Sequence, residues 1–177
     1  SNRPDLVAKY PTHDDKKAFW RLPTLYKSVQ QDNLAKDVAK NFPLVLTSGR
    51  LVEYEGGGEE TRSNAWLAEL QQENFIEISP KDANDRGIRD GEHVWVKSPT
   101  GAQIKVKAMV TKRIQPLTIQ GKTVHTVGIP IHWGFEGVAK SGPIANTLTP
   151  FVGDANIQTP EFKAFLVDVV KAGSDRA

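Results

Sequence analysis

Phe75-Ile76-Glu77-Ile78-Ser79-Pro80-Lys81-Asp82-Ala83 sets the architecture of this chain. Phe75 to Ile78 alternates as a strand, and Ser79 and Pro80 then stand at the N-cap and first helical position of a short helix ending near Gly87. Asp90-Gly91 makes a tight turn and His93 to Lys97 is a second strand. Thr100-Gly101 turns the chain into a third strand, Gln103 to Val110. The segment reads as β-structure with a short helical connection.

Upstream, Phe42-Pro43-Leu44-Val45-Leu46-Thr47 is an apolar run of strand type that breaks at Ser48-Gly49-Arg50. A glycine-rich acidic loop, Glu53 to Glu60, and a helix through Asn64 to Leu70 follow it. Downstream, Thr118 to Gln120, Val124 to Ile129 and Phe162 to Val170 are strands. His132 to Gly153, rich in glycine and proline, is loop with one helical turn. Six or seven short strands with few helices predict a closed barrel or a sandwich. Residues 1–41 are polar and weakly patterned, with Pro4, Pro11 and Pro23 as punctuation. They read as an arm docked by Phe19 and Trp20, with a helix from about Asp32 to Lys40, ahead of a domain at 42–177.

At 177 residues the chain is one domain's worth and long enough to bury a core of its own. Lys plus Arg is 23 against 21 for Asp plus Glu, a net charge of +2. Both signs are spread along the chain, and no basic cluster marks a nucleic-acid face. There is no cysteine, which excludes disulfides, Cys-based zinc sites, iron–sulfur ligation and thiolate nucleophiles from this chain. No apolar run approaches the roughly 20 residues of a membrane helix, so no direct membrane insertion is expected. The start, Ser1-Asn2-Arg3-Pro4-Asp5, carries neither Met nor a leader pattern. We expect no targeting signal here, and a piece of something longer.

His125 and His132 lie seven apart with no carboxylate or cysteine at metal-ligand spacing, His13 and His93 are remote from both, and no Gly-x-Ser-x-Gly elbow is present. Neither a metal ligand nor a catalytic residue is predicted. Gly56-Gly57-Gly58 lacks the Lys-Ser/Thr of a phosphate cradle and stands among four glutamates, so it reads as a surface loop. Three features remain. In Thr47-Ser48-Gly49-Arg50 the glycine lets backbone N–H groups approach a ligand and the arginine can grip a phosphate with two donors; a plain turn would look the same. Ile129 to Phe135 puts a His-Trp pair in a Gly/Pro-rich loop, which costs entropy to order unless something docks on it. Asn146-Thr147-Leu148-Thr149, with Asp154 and Asn156 beyond, offers amides that can read the edges of a heterocycle, or a helix cap in Asn146.

Taken in order, Phe42 to Arg50, Ile78-Ser79-Pro80-Lys81-Asp82-Ala83 with Arg86-Gly87-Ile88 and Asp90-Gly91, His132-Trp133-Gly134, Asn146 with Leu148-Thr149, and Pro160-Glu161-Phe162-Lys163 resemble a known domain. It is the C-terminal molybdopterin-dinucleotide-binding domain of the dimethyl-sulfoxide-reductase family of molybdenum and tungsten enzymes. Within that family, Gly-Ile-Pro-Ile-His-Trp-Gly-Phe-Glu-Gly (128–137) and Val-Gly-Asp-Ala-Asn (152–156) look most like the large subunit of the respiratory, membrane-associated formate dehydrogenases. The resemblance covers residues 42–171, and 1–41 looks like that subunit's lead-in to the domain. It implies a mainly β fold, a six-stranded double-psi β-barrel with a few short helices.

Residue by residue, the resemblance assigns Thr47, Ser48, Gly49, Arg50, Leu51 and Glu53 to the dinucleotide. It assigns Asn146 and Lys163 to polar contacts with the cofactor, and His132 and Trp133 to a loop over the pterin. Many relatives carry a histidine a few residues after the Gly-Arg, where this chain has Tyr54 and Glu55, so no contact from 54 to 60 is carried over. The implied cofactor is bis-molybdopterin guanine dinucleotide, with Mo or W, in the full enzyme; the fragment alone is expected to be empty and inactive. The implied reaction is oxidation of formate to CO2, with electrons passed to a respiratory chain. The implied partners are the remaining domains of the large subunit and iron–sulfur and membrane cytochrome subunits, at a periplasmic, membrane-associated location. Two other readings stay open. One is a double-psi-barrel module that binds protein, for which the loops at 47–53 and 130–146 would lie far apart. The other is the same domain from a family member acting on thiosulfate, polysulfide or nitrate.

Overall fold

Alternating burial builds the sheet. In β1 (Leu44–Gly49), Leu44, Leu46 and Ser48 are buried while the residues between them are half-buried. The same period runs through β3 (His93–Lys97), β4 (Gln103–Val110) and β7 (Phe165–Lys171). All four residues of β2 (Phe75–Ile78) are buried, as are the last four of β6 (Lys122–Pro130). A computed structural model describes residues 35–134, 142–150, 159–160 and 162–173. The chain divides into two compact units, one of Val38–Pro150 with Phe162–Ala177 and one of Ser1–Asp37 with Phe151–Glu161. In the latter the described residues, 35–37 and 159–160, are exposed. Residues 1–34 of the predicted arm (1–41), and Asp154 and Asn156, lie outside the described residues.

The strands of the larger unit close a ring. β1 pairs antiparallel with β7, β7 with β3, and β3 with β4; β4 lies parallel to β2, β2 antiparallel to β6, and β6 returns parallel to β1. The result is the closed six-stranded mixed β-barrel predicted above, with few short helices. Its interior holds Leu44, Leu46, Ile76, Ile78, Val94, Val96, Val127, Ile129, Val167 and Val169, each 2% exposed or less. Burial of such a side chain contributes at most about 1.5–3 kcal/mol. Among the described residues β5 (Leu117–Ile119) pairs only with β6, outside the ring. Their hairpin turns on Gln120 and Gly121 at φ +50° and +75°, the two-residue turn whose twist suits a strand pair.

α1 (Val38–Asn41) covers the end of the helix expected at 32–40. α2 (Ala65–Leu70) starts at Asn64, whose side-chain oxygen accepts from the N–H groups of Trp66 and Leu67 at 3.0 and 3.3 Å. α3 (Pro80–Asp85) starts as the sequence predicts: Ser79 Oγ accepts from the Asp82 N–H at 3.0 Å and donates to the Asp82 carboxylate at 2.7 Å. Two boundaries differ from expectation. β1 continues through Ser48 and Gly49, weak strand formers, because the ladder with β6 runs on through Ser48–Ile129 and Gly49–Pro130. β7 begins at Phe165, not Phe162, because Lys163 and Ala164 form a bend. Among the described residues no helix is long and apolar enough to cross a membrane.

Candidate functional site

Strand direction gathers the predicted residues. Parallel strands emit their following loops at the same end, so the loops after Gly49 of β1 and Pro130 of β6 leave the barrel side by side. The Ile131 N–H donates to the Gly49 carbonyl at 3.2 Å, and the Leu51 N–H donates to His132 Nε2 at 2.9 Å. β7 runs antiparallel to β1, so the residues entering β7 arrive at that end too. There Ser48 Oγ donates to the Phe162 carbonyl at 3.0 Å, and Lys163 Nζ donates to the Ser48 carbonyl at 2.5 Å and lies 3.1 Å from Ser48 Oγ. Thr47 to Leu51, His132 and Lys163 therefore share one mouth of the barrel.

Asn146 comes to the same end by another route. β3 is antiparallel to β7, which brings Ser98, just past the end of β3, to this end. Ser98 Oγ donates to the Leu148 carbonyl at 2.6 Å and holds a 3-10 turn, Ala145–Leu148. Ala145 and Leu148 join the core, leaving Asn146 exposed between them. No hydrogen bond joins Asn146 to Arg50, His132 or Lys163 among the described residues. Arg50 is exposed and Glu53 half-buried.

His132 and Trp133 face inward. His132 is 0% exposed and Trp133 4%. Tyr54 packs between them, its ring centroid 5.2 Å from His132 and 5.9 Å from Trp133, edge-on to the latter. The Tyr54 hydroxyl donates to the Gln71 carbonyl at 3.1 Å. Burial, reinforced by Glu53 and opposed by Arg62, holds that phenol above its ordinary value. Burial also holds the His132 imidazole below its ordinary value, with Arg50 and Arg62 adding to the shift and Gly57 and Glu59 opposing it. Arg62 donates to the His132 carbonyl. Sequence reasoning missed Arg62 and Tyr54. A usable signal for Arg62 was its place as the first basic residue after Glu53, Glu55, Glu59 and Glu60.

The opposite end has a different character. His125 lies opposite Leu44, the first residue of β1, and its Nδ1 is 2.5 Å from the buried Asp82 carboxylate. This group ties α3 to β6. Among the described residues no group of three or more His, Cys, Asp or Glu could hold a metal ion.

The family model for the molydopterin dinucleotide binding domain matches residues 44–166 of this chain. The chain belongs to that family. Formate dehydrogenase-O major subunit of Escherichia coli (strain K12) is 54% identical over 142 residues, 80% of this chain and 14% of that protein. The nitrate-inducible formate dehydrogenase major subunit of the same organism is 51% identical over 143 residues, 81% of this chain and 14% of that protein. The chain thus spans 14%, about one seventh, of the length of these relatives. Acetylene hydratase from Pelobacter acetylenicus shares the fold, with a TM-score of 0.57 at 18% identity over 77% of this chain and 19% of that one. It is a molybdopterin dinucleotide-binding domain, similar to the matching segment of formate dehydrogenase major subunits.

The mouth of this dinucleotide-binding domain fits an anionic, hydrogen-bonding group. A side chain placed on Gly49 would come no closer than 4.0 Å to its nearest neighbour, the Ile129 carbonyl oxygen, so the backbone there is open to approach. An ammonium has three donors, and Ser48 engages Lys163 through two oxygens, which leaves one. The cleft beside β1, lined by Thr47, Gly49, Arg50, Glu77, Arg113 and Pro130, encloses only about 50 Å³. A site needs only about 10–15 Å³ of such space to hold one water, so this cleft takes a few waters and does not enclose a nucleotide.

Proposed function

We propose that this barrel end binds the guanine-dinucleotide portion of a bis-molybdopterin guanine dinucleotide cofactor, carrying Mo or W, in the large subunit of a formate dehydrogenase. The observation that supports it most is the meeting of Thr47–Leu51, the His132 loop and Lys163 at one mouth, with the Asn146 turn at the same end. The opening of the backbone at Gly49 lets its amides approach the pyrophosphate, and Arg50 supplies a planar two-donor grip. Lys163 offsets negative charge from a position fixed by Ser48. Asn146, exposed on its turn, offers both a donor and an acceptor to the guanine edge. Glu53 stands beside the loop as an acceptor for ribose or base donors. When bound, the metal–pterin group supplies the redox centre for taking two electrons from formate.

On this reading the domain binds and orients, and formate oxidation depends on residues of the other domains of the subunit. The fragment alone is inactive. The electrons pass to iron–sulfur and cytochrome partners of a respiratory chain, at the periplasmic face of a membrane. The proximity of the 47–53 and 131–133 loops runs against the alternative of a protein-binding module, which needs them apart.

The test is cofactor content of the full-length subunit. Arg50→Ala and Lys163→Met should each lower pterin and metal content severalfold, because each removes a charge-assisted contact. Lys81→Ala, an exposed pair with Asp85 on α3, should leave content at the wild-type level. Full content in both mouth variants would overturn the assignment.

A further inference from the structure

His132 sits where three segments cross. Its Nε2 accepts the Leu51 N–H at 2.9 Å, its carbonyl accepts from Arg62, and its ring is covered by the Gly57–Gly58 backbone. A side chain at Gly58, where φ is +84°, would approach His132 Nδ1 to 2.9 Å. An imidazole that accepts at Nε2 and is not a cation carries its hydrogen on Nδ1. The neighbour of that Nδ1–H is the Gly57 backbone, which stands beside it without reaching full hydrogen-bond geometry. The ring is 0% exposed, so in this arrangement it presents no atom to a ligand.

We propose that His132 is a positioning residue for the dinucleotide-binding loop: its Nδ1–H tautomer holds the Leu51 amide through Nε2 and thereby sets the path of Gly49–Leu51, while its carbonyl holds Arg62 beside the same loop. This deepens the dinucleotide reading and rests on it. His132 acts through Leu51 and touches no cofactor atom. The acidic glycine-rich loop at 55–60 gains a role as well. It is the cover that keeps water off the imidazole, and Gly58 is glycine because the ring occupies the space a side chain would need.

The experiment combines the chain itself with the full-length subunit. In the 177-residue chain, 15N-histidine NMR should show His132 protonated at Nδ1 and unprotonated at Nε2; an Nε2–H signal would overturn the proposal without any variant. His132→Leu removes the acceptor, and exchange of the Leu51 amide should then rise by roughly tenfold, the loss of about one hydrogen bond. In His132→Gln the amide oxygen can reach the Nε2 position, and Leu51 protection should recover. In the full-length subunit, pterin content should fall in His132→Leu and recover in His132→Gln. Unchanged Leu51 exchange in His132→Leu would overturn the positioning role. So would normal pterin content in His132→Leu alongside loss in Arg50→Ala. Full content in Arg50→Ala and Lys163→Met would instead overturn the dinucleotide reading beneath it.

Discussion

Lys163 Nζ donates to the main-chain carbonyl of Ser48 at 2.5 Å, across 115 residues of sequence. The bond joins the bend that leads into the last strand to the end of the first strand, and it fixes a cation at the barrel mouth. It also satisfies a carbonyl at the point where the ladder of β1 with β7 has ended while that with β6 continues.

Lys163→Met should therefore cost stability as well as charge. A hydrogen bond to a charged group contributes about 1.5–3 kcal/mol, and partial exposure of this one brings the expectation to about 1 kcal/mol. Urea unfolding of the 177-residue chain measures it. Lys163→Arg should retain most of the difference, since the guanidinium can still donate to the Ser48 carbonyl.

Ser98→Ala should destabilise the chain by about 1–3 kcal/mol, because the Leu148 carbonyl loses its donor in a buried place. The Asn146 side-chain amide, carried by the same turn, should shift in a 15N–1H spectrum, while the His125–Asp82 group at the other end should not. An unshifted Asn146 would show that Ser98 does not hold the turn.

Two neighbouring glycines should behave differently. Gly58→Ala places a methyl group 2.9 Å from His132 Nδ1 at a φ of +84°, so strain and overpacking act together, at about 2–3 kcal/mol. Gly56 has φ +45° and nothing within 4 Å of an added Cβ, so Gly56→Ala should cost only about 1 kcal/mol. Thermal melts of the two variants give the comparison.

The pH dependence of stability follows from His132, which burial holds below its ordinary value of 6.5. Below that pH the unfolded chain takes up a proton that the folded chain resists, so stability falls as pH drops from about 6.5 toward the folded value and is level above it. Arg50 and Arg62 face the ring and strengthen the effect; Gly57 and Glu59 oppose it, and the Tyr54 phenol, raised from 10.0, stays neutral throughout. Asp85 and Glu92, lowered from 3.8 and 4.5, act only at more acid pH. Denaturant midpoints at about pH 7.5, 6.5 and 5.5 should decline for the wild type and stay flatter for His132→Gln.

Much of the fold was legible locally. β2, β3 and β4 occupy the residues that alternation marked, and Ser79-Pro80 starts α3 as its cap chemistry requires. The errors fell where a partner strand overrides local preference. Ser48 and Gly49 read as a break, yet they pair with Ile129 and Pro130. The site was legible as a set of segments, through collinear motifs, and not as a set of contacts. The Tyr54 ring could not be paired with His132 and Trp133 from spacing, since 78 residues separate Tyr54 from His132 in the numbering. Lys163 was legible only through the Pro160–Lys163 motif of the resemblance, since its local pattern is that of any exposed lysine.

Periodicity, turn chemistry and motif order determined that this chain is mainly β, where its strands lie, and which family it belongs to; each is a property of neighbours along the backbone. The tertiary structure decided which loops share a mouth, that His132 faces Leu51 and Gly58 from inside, and that Ser48 holds Lys163. Those depend on strand direction and ladder register around a closed ring, which couple residues that no local preference connects.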